Sequence, residues 1–274
     1  MVLYIIGLGL YSEKDISIRG FETIKASDYV YMEYYTSILG VDKEALEKFY
    51  EKKILLADRE VIENDFDKEI LEKAIDSKVS LLVVGDPLSA TTHIDLFLRA
   101  AKINVKVEVI NNASIINACG LTGLSLYRFG EAITIPFFNK NWKPFSFYEK
   151  ILKNYKNDMH TLVLLDIKLR EVSDENLLKG KRIFEPARFM SVNVAIEQFL
   201  EAEDFCKLGL VNKELKCFGV ARLGAPDQKI VSGNVFELKE FNFGLPLHSL
   251  VICAPNLHSI EKEMFEFYNI NNNK

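Results

Sequence analysis

A near-continuous apolar run, Val79 to Val84, stops at Gly85-Asp86-Pro87 and gives way to Leu88-Ser89-Ala90-Thr91-Thr92-His93 and a helical pattern. No other stretch narrows the possible folds as much. A run of this kind fits a strand buried on both faces, as in a parallel sheet covered by helices. In such sheets ligands sit outside the carboxyl ends of the strands, where loop amides and the next helix N-terminus converge. Asp86 stands at that junction, well placed to accept hydrogen bonds from a ligand's hydroxyls or amines. The alternative is that Asp86 and Pro87 only turn the chain. Thr92 and Asp95 have capping-box spacing. Ile94, Phe97, Leu98 and Ala101 recur at i, i+3, i+4 and i+7, one face of the helix that follows.

The same rhythm extends through the first half. Strands are expected at Val2 to Ile6, Asp28 to Tyr35, Lys53 to Ala57 and Val105 to Ile110, with helices around 17–25, 43–52 and 65–77. This βαβα succession predicts a parallel sheet with helices on both sides. After Asn111-Asn112-Ala113 the pattern changes. Ser114 is placed to cap a short helix through Ile115, Ile116 and Cys119. Strands follow at 132–137 and 161–167, with a helix at 147–155. Ser191 is placed to cap a helix carrying Val192, Ala195, Ile196, Phe199 and Leu200. Three runs at 217–223, 229–238 and 248–254 read as hairpin-connected, partly antiparallel strands. A last helix carries Ile260, Met264, Phe267 and Tyr268, and 269–274 is expected to be a disordered polar tail. The expectation is therefore an α/β fold of two domains, 1–112 with a parallel sheet and 113–274 with a mixed sheet.

Composition removes several classes of function. The 274 residues carry a formal net charge of −5 and no tract of five or more Lys and Arg, so nothing points to nucleic acid. Cys119, Cys206, Cys217 and Cys253 are isolated, which argues against a zinc site or a disulfide framework and for a reducing compartment. The N-terminus has no basic region ahead of its apolar run and reads as a strand, not a signal peptide. No apolar run approaches the ~20 residues of a membrane span. A cytoplasmic protein without a membrane segment is expected.

Among the remaining motifs, Gly7-Leu8-Gly9-Leu10 follows the first strand but has Ser12 where a dinucleotide fingerprint needs its third glycine. A glycine pair that lets the backbone pass close to ligand or protein fits better, as does a simple tight turn. His93, His160, His248 and His258 lack the close spacing of a metal-ligating pair, and no nucleophile motif is present. His248 opens the last strand and either faces a cleft or bonds to backbone. Gly219 to Gln228 suits a hairpin around one buried Arg222, or a backbone ledge against a flat ligand. Asp166 places a carboxylate at the rim of the core.

Taken together, several segments resemble the diphthine synthases, diphthamide-pathway methyltransferases of the tetrapyrrole-methylase fold. These are Tyr4 to Leu10, Glu33-Tyr34-Tyr35-Thr36-Ser37, Gly85 to His93, Asn112 to Ile115, Met159 to Lys168, Glu185 to Arg188, Ala221 to Gly224 and Pro246 to Leu250. The resemblance covers nearly the whole chain. It implies S-adenosylmethionine held in a cleft between the two domains, on Leu10, Asp86, Ser89, Ser114, Ile115, Leu165, Leu223 and His248. It also implies that the glycine turn faces the cleft and does not cradle a pyrophosphate. Ser89 departs from the glycine or aliphatic residue usual in the family, so its contact is taken to be through backbone.

The implied reaction moves methyl groups to the amino nitrogen of a modified histidine on translation elongation factor 2. The Tyr127 to Phe138 and Met159 to Lys168 stretches favour the eukaryotic form, whose fourth transfer makes a methyl ester. A homodimer is implied by the fold family alone, no metal is expected, and no catalytic base is assigned, Asp166 and solvent both being open. The competing readings are a methylase of the same fold acting on a tetrapyrrole or ribosomal RNA, and a non-catalytic nucleotide-binding protein.

Overall fold

The computed structural model describes residues 1–169 and 184–272. Its compact units are Met1–Ile116 with the described residues between Lys168 and Ala187, and Asn117–Ile167 with the chain from Arg188 onward. The division thus falls after Ile116, where a single boundary near 112 was expected, and the second unit is not continuous in sequence.

The first unit is built on a five-stranded sheet of order β3-β2-β4-β1-β5, from β1 (Val2–Gly7), β2 (Tyr29–Glu33), β3 (Leu55–Ala57), β4 (Lys78–Val83) and β5 (Lys106–Ile110). Every pairing is parallel, and Val2 aligns with Lys78 on one side and Lys106 on the other. Side-chain alternation feeds two cores, as a doubly covered sheet requires. Leu3, Ile5, Val79, Leu81 and Val83 pack with Phe66, Ile70, Leu96 and Ala100. Ile6, Val30, Met32 and Leu82 pack with Ile24, Leu46 and Tyr50.

Helices α1 (Ile18–Ala26), α2 (Lys43–Tyr50) and α3 (Arg59–Glu63) begin at Ser17, Asp42 and Asp58, whose side chains accept from the third residue on. A wide turn at Asp67–Leu71 runs into α4 (Glu72–Asp76). The single helix expected over 65–77 is therefore two segments, and α3 was not anticipated.

Helix α5 (Ile94–Lys102) corrects two expectations. The expected side-chain cap from Thr92 does not form: His93 is the residue before the helix, and Asp95 N bonds to the Thr92 backbone carbonyl at 3.0 Å. The buried stripe is His93, Leu96 and Ala100, whereas Ile94 and Leu98 are each 56% exposed. Apolar residues on two sides of the helix left its phase undetermined, and packing on the sheet chose the smaller stripe.

The second unit holds a mixed sheet of order β9-β8-β10-β7-β6, from β6 (Ile133–Ile135), β7 (Thr161–Leu165), β8 (Lys216–Ala221), β9 (Lys229–Asn234) and β10 (His248–Ile252). The β8–β9, β8–β10 and β10–β7 pairs are antiparallel, and β6–β7 is parallel. Short α6 (Ile115–Ala118) lies at the junction of the units, and α7 (Ser146–Lys156) and α8 (Val192–Cys206) belong to the second. Ser191 caps α8 as expected, and Val192, Ala195, Ile196 and Phe199 enter the core beside Val163, Leu250 and Ile252.

The strand expected over 229–238 stops at Asn234, where a capping box with Glu237 starts α9 (Val235–Glu240). In α10 (Ser259–Phe267) the buried residues are Glu261 and Phe265, while Ile260 and Phe267 are exposed. The tail is ordered through a 3-10 turn at Ile270–Asn272, and Ser232 N donates to the Tyr268 carbonyl at 2.9 Å. Residues 273–274 lie outside the described residues.

Candidate functional site

In the first unit the carboxyl ends of β4, β1 and β5, neighbours in the sheet, bring five of the expected site residues together. Gly7 ends β1 against the loop after β4; a Cβ there would lie 2.6 Å from the Gly85 carbonyl oxygen and 2.8 Å from Asn112 Cβ. Gly9, at φ +83°, exchanges backbone hydrogen bonds with Gly85 at 3.2 and 2.8 Å. The glycine pair therefore serves a close approach of protein to protein, one of the two options its sequence offered. The same bridge holds Leu10 beside the Asp86 loop.

Asp86 is buried, 6% exposed, and its carboxylate is fully engaged. Oδ1 accepts from Leu88 N at 2.9 Å and Ser89 Oγ at 3.2 Å; Oδ2 accepts from Asn111 Nδ2 and Asn112 N, both at 3.0 Å. Burial pushes its pKa up, but these four donors outweigh burial and hold it below the usual carboxylate value. Two lone-pair sites on each oxygen are taken, so the acid locks the β4 loop to the β5 loop. Asn112 extends the lock, donating from Nδ2 to the carbonyls of Gly7 at 2.9 Å and Asp15 at 3.0 Å.

Ser89 turns its hydroxyl to Asp86. Ser114 is buried, and its Oγ accepts from Ile116 N at 3.3 Å, the expected cap, which sets Ile115 at the start of α6. Asn111 and Asn112 were not among the site residues read from sequence. The available signal was an asparagine pair ending one parallel strand beside an acid ending another.

Leu165, Leu223 and His248 belong to the second unit and share one end of its sheet. Leu165 closes β7, Leu223 follows β8, and His248 opens β10 opposite Ala221. His248 donates from Nε2 to the Leu245 carbonyl at 2.9 Å, which leaves Nδ1 to accept from Val192 N at 3.4 Å. Both ring nitrogens thus bond to backbone, and burial lowers the pKa.

Arg222, unassigned from sequence beyond its burial, organises this end. Its guanidinium donates to Phe243 O at 3.0 Å, Leu245 O, Asp227 O at 2.9 Å and Asp227 Oδ2 at 2.7 Å. Its backbone N–H reaches Leu247 O at 2.8 Å. Asp166 is committed in part, with Oδ2 accepting from Phe137 N at 2.9 Å. Among the described residues no group of His, Cys, Asp or Glu could hold a metal ion, and no helix is long and apolar enough to cross a membrane.

A doubly wound parallel sheet with a locked Gly-Asp-Pro loop, followed by a mixed-sheet unit, defines a class. The family model of tetrapyrrole (corrin/porphyrin) methylases matches residues 2–239, and the chain belongs to that family. Within it, the chain falls among the diphthine methyl ester synthases. It is 51% identical to the diphthine methyl ester synthase of Dictyostelium discoideum over 275 residues, all of both chains. It is 49% identical to that of Homo sapiens, covering 99% of this chain and 96% of the other. A crystal structure of diphthine synthase superposes with a TM-score of 0.83 at 33% identity, covering 98% of this chain and 96% of that one.

Proposed function

We propose that this methyltransferase takes methyl groups from S-adenosylmethionine and places them on the modified histidine of translation elongation factor 2, ending with the methyl ester. The observation that carries the reading is the Asp86 lock: four donors hold a buried acid and tie the β4 loop to the β5 loop through the protein's own hydrogen bonds. Preorganisation of this kind favours binding of a cofactor without a cost of ordering the loop. The residues offered fit such a donor. Each unit by itself offers apolar side chains to a donor, the first at Leu10 and Ile115 and the second at Leu165 and Leu223. Backbone at Ser89 and Ser114 supplies polar groups for a ribose and an amino acid moiety.

When bound, S-adenosylmethionine supplies a methyl carbon already activated on a sulfonium. The protein's task is then to bind, align nucleophile with methyl, and exclude water. Asp86, Asn112 and Arg222 act by holding the loops that carry the contact residues. His248, with both nitrogens committed to backbone, offers only its ring face. No group of the chain is assigned the amine proton.

The reading includes a cytoplasmic setting, where the protein substrate works, and a homodimer. The exposed stripe Ile94, Phe97 and Leu98 of α5 supports pairing of two copies, since an isologous contact buries the same apolar face twice. The test is incubation of the protein with isotopically labelled S-adenosylmethionine and elongation factor 2 that lacks this modification step. Label confined to that histidine, with a mass of four methyl groups, is expected. Absence of label alongside normal S-adenosylmethionine binding would show that the substrate is another molecule.

A further inference from the structure

Two side chains beside the Asp86 lock do not balance in protons. His93, directly before α5, and Glu33, which ends β2, are each 1% exposed. His93 Nδ1 lies 3.1 Å from the Pro87 carbonyl oxygen. A carbonyl only accepts, so Nδ1 carries hydrogen and donates. In a neutral ring that makes Nε2 a bare acceptor, and Nε2 is buried with no hydrogen-bond partner. It faces Glu33 Oε2 at 3.5 Å. Two acceptors opposed in a dry interior repel, whereas a proton between them turns the same contact into an ion pair.

Glu33 is itself fixed in place. Its Oε1 accepts from Tyr35 N at 3.2 Å and Thr36 N at 2.7 Å, and its Oε2 from Thr36 Oγ1 at 2.8 Å. At the other end, the Pro87 carbonyl also accepts from Thr91 Oγ1 at 2.5 Å. The chain of contacts therefore runs from the turn after β2, through Glu33 and His93, to the residue next to Asp86. Strands β2 and β4 are neighbours in the sheet, so the two loops stand side by side.

We propose that His93 is a positioning residue for the donor-binding loop: its Nδ1–H fixes the Pro87 carbonyl, and a proton shared with Glu33 keeps hydrogen on Nδ1. The proposal rests on the donor reading above. It assigns the pair a task that packing alone does not have, since the bond to Pro87 sets the loop's shape while the contact with Glu33 sets the ring's protonation.

The two nitrogens can be tested separately. In His93→Asn the amide nitrogen takes the place of Nδ1 and keeps the bond to Pro87. In His93→Gln the amide reaches the place of Nε2 and keeps only the contact with Glu33. Titration calorimetry with S-adenosylmethionine on the full chain is expected to show His93→Asn within about threefold of the wild-type Kd. His93→Gln should bind at least ~10-fold more weakly, the effect of about one lost hydrogen bond. Both should melt at similar temperatures, and nitrogen-15 spectra of the wild-type ring should show hydrogen on Nδ1.

Equal losses of affinity in the two variants, or hydrogen on Nε2 alone, would overturn the proposal while leaving the donor reading standing. A wild-type protein that binds no S-adenosylmethionine would overturn the donor reading and this proposal with it.

Discussion

Asp86 commits both oxygens of its carboxylate to donors on its own loop and on the β5 loop. Replacing it with asparagine keeps the shape but turns one acceptor oxygen into a donor, set against either Leu88 N and Ser89 Oγ or Asn111 Nδ2 and Asn112 N. A buried mismatch of this kind costs on the order of 2–3 kcal/mol. Asp86→Asn is expected to lower the melting temperature measurably and to weaken S-adenosylmethionine binding by more than ~10-fold, both read on one sample by calorimetry. Wild-type affinity in that variant would detach the lock from the donor. The place of Asp86 was legible in the sequence, because a doubly buried strand that ends in an acid puts it where the loops of a parallel sheet converge. Its partners were not legible: Asn111 and Asn112 lie 25 and 26 residues on, and only the β1–β5 pairing brings them alongside. The same holds for Arg222, whose carbonyl partners on the Phe243 to Leu245 segment are 21 and 23 residues away.

Elements with a local signature were readable, and those whose phase depends on packing were not. Helix α8 followed from Ser191 and one apolar stripe, because no competing stripe exists. Helix α9 was hidden in an apolar run that suits a strand equally well, although Asn234 and Glu237 already spelled its start. Asn234→Ala removes that cap and should cost about 1 kcal/mol of stability without touching donor affinity. A denaturant midpoint unchanged from wild type would mean the cap is dispensable.

In α5, alternative stripes shared the helix and the sheet chose Leu96 and Ala100. Leu96→Ala should therefore cost about 2–5 kcal/mol. Leu98→Lys should stay within ~0.5 kcal/mol of wild type in the monomer's stability. If two copies pair through α5 as proposed, Leu98→Lys weakens that pairing, and light scattering that shows no difference from wild type would remove α5 from the proposed contact.

For the molecule as a whole, the shifted histidines and the shifted buried carboxylates share one sign. Burial holds His160 and His248 below the ordinary histidine range, so the unfolded chain binds protons that the folded chain refuses. Their contribution is complete above the unfolded value near 6.5 and is lost as pH falls below it. In Asp86, Glu203 and Glu261 burial pushes the pKa up, but donated hydrogen bonds outweigh it and hold all three below the usual value. Their contribution is present above about pH 4 and lost as pH falls through the lowered folded values. Scanning calorimetry of His93→Asn, which lacks the contact with Glu33, from pH 8 to pH 3 should thus find a flat melting temperature near neutrality, a first decline below ~6.5 and a steeper one below ~4. A melting temperature that rises on mild acidification would contradict the placement of both histidines.

One feature of the first sheet bears on how the protein is made. Strand β1 lies between β4 and β5, its residue Val2 beside Lys78 and Lys106. In chain order β1 precedes both strands that flank it, and neither of these neighbours exists until much of this unit has been translated. Nascent chains halted before β4 should carry a sticky, unpaired Leu3-Tyr4-Ile5-Ile6, and cells must shield it until its flanks arrive.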